Sequence, residues 1–372
     1  MKLFCDGNDL ILAVAKVVKA LGSKTTSPVL ESIKMDAEPG TLTLCATDNE
    51  MRIETSICAD VDLAGSVLVP GRLFSDFTKK LSNQKIELEE IGTKLKVRYA
   101  ESRGELSCTN ADEFPAADSI NDGDSLDKVS SFTMGAAGLR ELIDKVAFAV
   151  ALSDKKLPIL RGVLIEVKGR EVTGVAVDGV RMAKCVKPID ASTGDFSVVI
   201  PSRSINEIAR FLDGDEEKIT VFVKDNKLKI DLGHTVITSQ LLVGEYPDYN
   251  RLLPSSIQTS VIVLTEPLSS GLERAALLSK EENSNSVYFS IGERVISLTS
   301  ASGKGNLDEK ISVVTNGPDL DIAFNCKFFN EVLRASGCEQ VTIKFVGPNR
   351  PCIIEPCGGE ENFTYLILPV RT

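Results

Sequence analysis

The chain has 372 residues, 43% of them apolar and 26% charged, with 53 acidic against 42 basic side chains and a formal net charge of −11. That balance excludes a protein that coats nucleic acid by bulk charge, although it permits a basic surface set inside an acidic shell. The length suits two or three domains, and no apolar run reaches the ~20 residues that a membrane-spanning helix needs.

Met1-Lys2-Leu3-Phe4-Cys5 reads as a strand and lacks the apolar core of a signal peptide, so a cytoplasmic protein is expected. A helix follows, with Leu10, Val14, Val17, Val18 and Leu21 at helical spacing and Asn8 as its N-cap. Two strands, Ile33–Asp36 and Leu42–Ala46, flank a Pro39-Gly40 turn. Val67-Leu68-Val69-Pro70-Gly71-Arg72 then reads as a strand running into a second helix, with the proline where a helix start tolerates it.

The same order returns twice. Ser27-Pro28-Val29-Leu30 matches Leu157-Pro158-Ile159-Leu160, and Glu113-Phe114-Pro115 matches Glu245-Tyr246-Pro247. A second pair of helices is read from about Leu139 to Ala151 and after Val198-Val199-Ile200-Pro201-Ser202-Arg203; a third from about Leu268 to Ser279 and after Ile322-Ala323-Phe324-Asn325-Cys326-Lys327. The intervening hairpins are Val163–Val167 with Val172–Val177, and Val287–Ser290 with Val295–Thr299. A repeat of this size is a whole α+β domain and not a solenoid unit. Polar stretches after the shared endings place the boundaries, giving domains 1–124, 125–254 and 255–372.

Aligning the repeats brings basic residues together. Lys16, Lys145 and Arg274 share a position in the first helix; Arg72, Arg203 and Lys327 share the start of the second; Lys79, Arg210 and Arg334 share a position within it. A solvated helix face explains any one of them. Recurrence in three copies points instead to a common surface facing phosphates, to which Lys24 is added. With no tryptophan and only five tyrosines to stack bases, the expected ligand is duplex DNA held by its backbone.

Chemistry is not evident. No phosphate-binding glycine loop or nucleophile elbow lies at a strand–helix junction. Nine scattered cysteines without a CxxC pair and a single histidine, His234, argue for buried reduced thiols, no metal and no cofactor. Asp48 and Asp178 are read as turn caps. Two alternatives stay open at this point, an open nucleic-acid or peptide scaffold and an enzyme with an interdomain site.

Val177-Asp178-Gly179-Val180-Arg181-Met182, Tyr246-Pro247-Asp248-Tyr249 and Tyr365-Leu366-Ile367-Leu368-Pro369-Val370-Arg371, set in three tandem repeats, resemble the bacterial DNA polymerase III β subunit family, the sliding clamps. The resemblance covers the whole chain in order. It implies a non-catalytic processivity factor: three clamp domains, each two helices backed by antiparallel sheet, in a homodimer closed head-to-tail into a six-domain ring around double-stranded DNA. It implies as partners the replicative polymerase α subunit, the clamp loader and other proteins with a clamp-binding motif, and no membrane. Their peptide would enter a pocket of Leu160, Val177, Gly179, Val180, Arg181, Met182, Pro247, Arg251, Leu252, Asn325, Phe328, Pro351, Leu366, Leu368, Pro369, Val370 and Arg371, with Arg181 and Arg251 as flanking donors. Arg103, Gly104, Leu277, Leu278, Asp308 and Glu309 would form the dimer contact, although Gly104 stands where some members place an aromatic.

Overall fold

The computed structural model describes residues 1–22, 27–81, 84–116, 129–153, 156–212, 218–279, 285–358 and 362–370. The chain folds as two compact units. One is Met1–Thr133 with Lys218–Leu241, and the other is Met134–Glu217 with Leu242–Thr372.

In the first unit the helix α1, Gly7–Val17, is capped by Asp6, whose carboxylate accepts the N–H groups of Asn8 at 2.8 Å and Asp9 at 3.2 Å. Asn8 is therefore not the cap; the extended backbone at the end of the strand Lys2–Asp6 puts the aspartate there first. Leu10, Ala13, Val14 and Val17 form the buried face of α1. The helix α2, Gly71–Thr78, begins at Pro70, and a Cβ on Gly71 would lie 2.5 Å from Leu21 Cδ1, so glycine is what lets the helix close on the α1 segment. The long strand Met51–Leu63 organises the sheet. Its first half pairs with both Thr41–Thr47 and Thr235–Gln240, and its second half pairs with Lys2–Asp6. From Lys2–Asp6 the sheet continues through Lys85–Ile91 and Lys94–Tyr99 to an end at Ser102–Ser107.

Among the described residues the second unit carries the α-helices α3 Ala136–Val146, α4 Ser202–Phe211, α5 Thr265–Ser279 and α6 Cys326–Ser336. Strands Ser130–Gly135 and Thr259–Leu264 precede α3 and α5, so the second and third repeats open on a strand that helical spacing alone had hidden. A nine-stranded sheet runs from Phe196–Pro201 to Val314–Asn316, and its middle joint pairs Arg181–Pro188 of the second repeat with Phe363–Ile367 of the third. A separate four-stranded sheet ends at Gly305–Ser312. Phe289, Phe324, Phe329 and Phe345 fill the third repeat's core, with ring centroids 5.0–6.3 Å apart. No helix among the described residues is long and apolar enough to cross a membrane.

Candidate nucleic-acid face and partner pocket

Most of the matched bases lie on exposed helix faces. Lys16, Arg72, Lys79, Arg203, Arg210, Arg274, Lys327 and Arg334 are all exposed, while Lys24 lies outside the described residues. Lys145 departs from the pattern. It is buried, its Nζ donates to the Ser336 carbonyl at 2.8 Å and it sits 4.9 Å from the Phe363 ring centre. This lysine satisfies an orphan carbonyl at the C-terminal end of α6, so it is not available to DNA. Lys16, its counterpart on α1, donates to Thr235 Oγ1 at 3.2 Å. Arg274, the third, is held by Glu309, with Nε to Oε2 at 3.0 Å.

The pocket residues gather in one apolar cluster. Leu160 comes from the short turn Pro158–Arg161, Val177 from the end of Glu171–Val177, Met182 from Arg181–Pro188 and Leu366 from Phe363–Ile367. Ile159, Tyr246 and Tyr249 pack on the same cluster and were missed in the sequence, although the aromatic pair in Tyr246-Pro247-Asp248-Tyr249 was the available signal. Tyr249 donates to Glu166 at 2.9 Å, and burial with that hydrogen bond pushes its phenol up to about 12. The rim is exposed and apolar: Val180, Leu252 and Leu368, with Pro247, Pro369 and Val370 half-buried beside them. Arg251 is exposed and paired with Asp248 at 3.0 Å. Pro351, half-buried just before the strand Cys352–Pro356, stands outside the cluster, and Arg371 is outside the described residues.

Local turns explain the placement. Asp178 Oδ1 accepts the N–H groups of Val180 at 2.9 Å and Arg181 at 3.0 Å, and Gly179 has φ +89°, a conformation that suits glycine. Asp48 does the same for Glu50 and Met51. Beyond the last strand, Leu368 N–H donates to Val180 O at 2.9 Å and Val370 N–H to Ala323 O at 2.8 Å, so this segment is tied down rather than frayed.

Two pocket assignments change. Arg181 is buried and its donors are taken: Nε by Asp178 at 2.9 Å, the terminal nitrogens by Glu331 and the Phe148 carbonyl. Its guanidinium lies 4.5 Å from the Phe328 ring centre and 5.2 Å from that of Phe148. It therefore fixes α6 against the second repeat and is not a free donor to a peptide. Asn325 caps α6, accepting from Lys327 N at 3.0 Å and Phe328 N at 3.3 Å. A groove of about 700 Å³ lies beside Arg181, lined in part by Phe148, Leu152, Val180 and Phe328.

At the expected dimer contact, Leu277 is 68% exposed and Leu278 half-buried, Arg103 and Asp308 are exposed, and Glu309 is engaged by Arg274. Gly104 lies under Phe77, where an added Cβ would come within 2.9 Å of the ring. Six cysteines are buried, but Cys58 is exposed and Cys338 and Cys357 are half-buried, so the expectation of buried thiols holds only in part. No three potential metal ligands group together among the described residues.

Copies of one α+β module joined strand to strand, with a buried apolar cluster and an exposed apolar rim at one joint and cations on the helices, define a repeat-built binding protein. Sequence profiles of the DNA polymerase III beta subunit match the N-terminal domain at residues 1–118, the central domain at 133–248 and the C-terminal domain at 250–371. The chain is 30% identical over 368 residues to the beta sliding clamp of Staphylococcus aureus, covering 95% of each. It superposes on the sliding clamp of Bacillus subtilis with a TM-score of 0.94 at 28% identity, covering 100% of this chain and 99% of that one. The beta subunit of Streptococcus pyogenes gives 0.93 at 29% identity, with 100% of both covered. The chain belongs to the DNA polymerase III beta subunit family, and its three tandem domains have the sliding-clamp fold.

Proposed function

We propose that this protein is the non-catalytic processivity clamp of a bacterial replicase, a ring of two copies that encircles duplex DNA and holds the polymerase through the apolar pocket. The observation that carries the reading is the recurrence of one joint. Thr235 pairs with Thr55 where the second repeat meets the first, and Phe363 with Cys185 where the third meets the second. Each time the last strand of one repeat meets the hairpin strand of the repeat before it. The remaining members of this series are Ser102–Ser107 and Gly305–Ser312, and each ends its sheet. An unpaired edge is a template for another chain, and two such edges of opposite kind on one chain suit a head-to-tail pairing that closes when the rotation allows it.

Carrying the internal register over places Ser102 of one copy opposite Glu309 of the other, and Arg103 opposite Asp308. The test is oxidative cross-linking. Cysteines at Arg103 and Asp308 should give a covalent dimer in high yield, and cysteines one residue out of register should not. A protein that stays monomeric at micromolar concentration would favour an open scaffold instead. Clamp loader, polymerase α subunit and other motif-bearing partners follow from the same reading, with short peptides carrying paired large apolar side chains settling on the exposed rim of Val180, Leu252 and Leu368 over the buried Leu160, Val177, Met182 and Leu366. The domain limits 1–124, 125–254 and 255–372 belong to this proposal as well.

A further inference from the structure

Every base at the third matched position is already held by an acid. At the C-terminal cap of α2, Lys79 Nζ lies 3.3 Å from Asp76; on α4, Arg210 lies 2.5 Å from Glu207; and Arg334 of α6 lies 2.5 Å from Glu273 of α5. The acids recur like the bases. Asp76, Glu207 and Glu331 each stand three residues before the base in the second helix of their repeat. In the third repeat Glu331 is taken by Arg181, and Glu273 occupies its role from the neighbouring helix. By contrast, Arg72 and Lys327, at the starts of α2 and α6, make no ion pair among the described residues.

We propose that Asp76, Glu207 and Glu273 set how strongly the protein holds DNA, by keeping three of its DNA-facing cations in exchangeable internal ion pairs. The inference rests on the reading of these helices as the DNA face. The cations are 55–65% exposed in all three pairs, although Glu207 itself is only 14% exposed, and an ion pair open to water on the cation's side is weak and opens readily, so a phosphate can still reach the base. It does so by displacing a carboxylate, which then stays nearby and repels the backbone. The net gain per contact is small, and the sliding of a ring requires that. A free cation meeting a phosphate releases counterions and steepens the salt dependence by about 0.9 per phosphate neutralised. A cation paired with a fixed acid contributes less than that.

Equilibrium binding to a short fluorescent duplex, titrated across salt concentrations, tests this. The variant Asp76→Asn/Glu207→Gln/Glu273→Gln is compared with Glu38→Gln/Glu171→Gln/Glu293→Gln, which removes the same charge from exposed positions at the three hairpin turns. The helix-acid variant should bind more tightly, with a steeper logarithmic salt slope by up to ~0.9 per freed cation, while the hairpin variant stays close to wild type. Equal tightening in both variants would overturn the proposal in favour of a net-charge effect, and so would no change in the helix-acid variant. A third variant, Lys79→Gln/Arg210→Gln/Arg334→Gln, separates the two levels of the argument. If it weakens binding while the helix-acid variant is unchanged, only the compensation idea fails. If it binds like wild type, the DNA-face reading fails with it.

Discussion

Lys145 reaches from α3 to the carbonyl of Ser336 at 2.8 Å, closing the last turn of a helix that lies 191 residues further along the chain. Phe363 covers the same ammonium group, and Glu141 lies 3.9 Å away. A basic residue that repeat alignment had grouped with DNA-facing cations is thus part of the joint between the second and third repeats.

Lys145→Ala should accordingly destabilise the protein by about 2 kcal/mol, the range for losing a buried hydrogen bond to a charged donor. DNA binding measured on the folded variant should be unchanged. Urea unfolding, followed by duplex titration, checks both parts. A variant of wild-type stability that bound DNA poorly would restore the original assignment.

Lys79, Arg210 and Arg334 present the opposite case, with side chains 55–65% exposed. Changing all three to Glu should weaken duplex binding and flatten its salt slope, because each contact with a phosphate is lost, and should leave the unfolding midpoint nearly unmoved. Wild-type DNA binding at low salt would contradict the assignment.

How much was legible in the sequence depended on how local each feature is. The hairpins and the first helix of each repeat follow from periodicity and from turn residues such as Pro39-Gly40, and the second helices from the strand-to-helix entries at Pro70, Pro201 and Asn325, all signals that act over a few residues. Asp178 was read as a turn cap for the same reason, and its two N–H contacts agree. Arg181 was misjudged because its partners are distant: Phe148 and Glu331 are 33 and 150 residues away. No spacing rule reveals that a guanidinium is already saturated. Lys145 was misjudged for the same reason. Leu160, Val177 and Met182 read as ordinary core side chains by pattern alone and as pocket members only through the family motifs, and the structure buries them in one cluster.

Leu277 and Leu278 on α5 offer an apolar surface next to the strand Gly305–Ser312, and Leu278 Cδ2 comes within 3.8 Å of a Cβ built on Gly305. Changing both leucines to Lys should give a folded monomer, because a second copy would have to bury unpaired charge. Sedimentation at micromolar concentration decides it, and a persisting dimer would move the contact elsewhere.

Removal of residues 368–372 should abolish binding of a polymerase-derived motif peptide while the dimer remains. Leu368 is exposed at the rim, and its N–H is tied to Val180 and not to the edge strand Gly305–Ser312. Calorimetric titration of the peptide into both forms gives the answer, with equal affinity placing the partner site outside this pocket.

Alkaline conditions should weaken the first unit. Burial pushes the Cys5 and Cys45 thiols from 9.0 up to about 12. As pH rises the unfolded chain therefore loses these protons first, so the stability they contribute is full below about pH 9 and is lost on the way to about 12. Urea midpoints measured between neutrality and about pH 11 should fall, and less steeply in a Cys45→Ala variant. The same slope in both would remove Cys45 as a cause.

The most direct test of the central claim is retention on DNA of different topology. The protein, loaded by a clamp loader onto a nicked circular duplex, is passed through a sizing column in high salt before and after the circle is cut once. An encircling clamp stays with the circle, because salt weakens phosphate contacts but does not open a closed ring, and it is lost from the linear product by sliding off the ends. Loss from the circle as rapid as from the linear duplex would contradict encirclement and leave a protein that merely adheres to DNA.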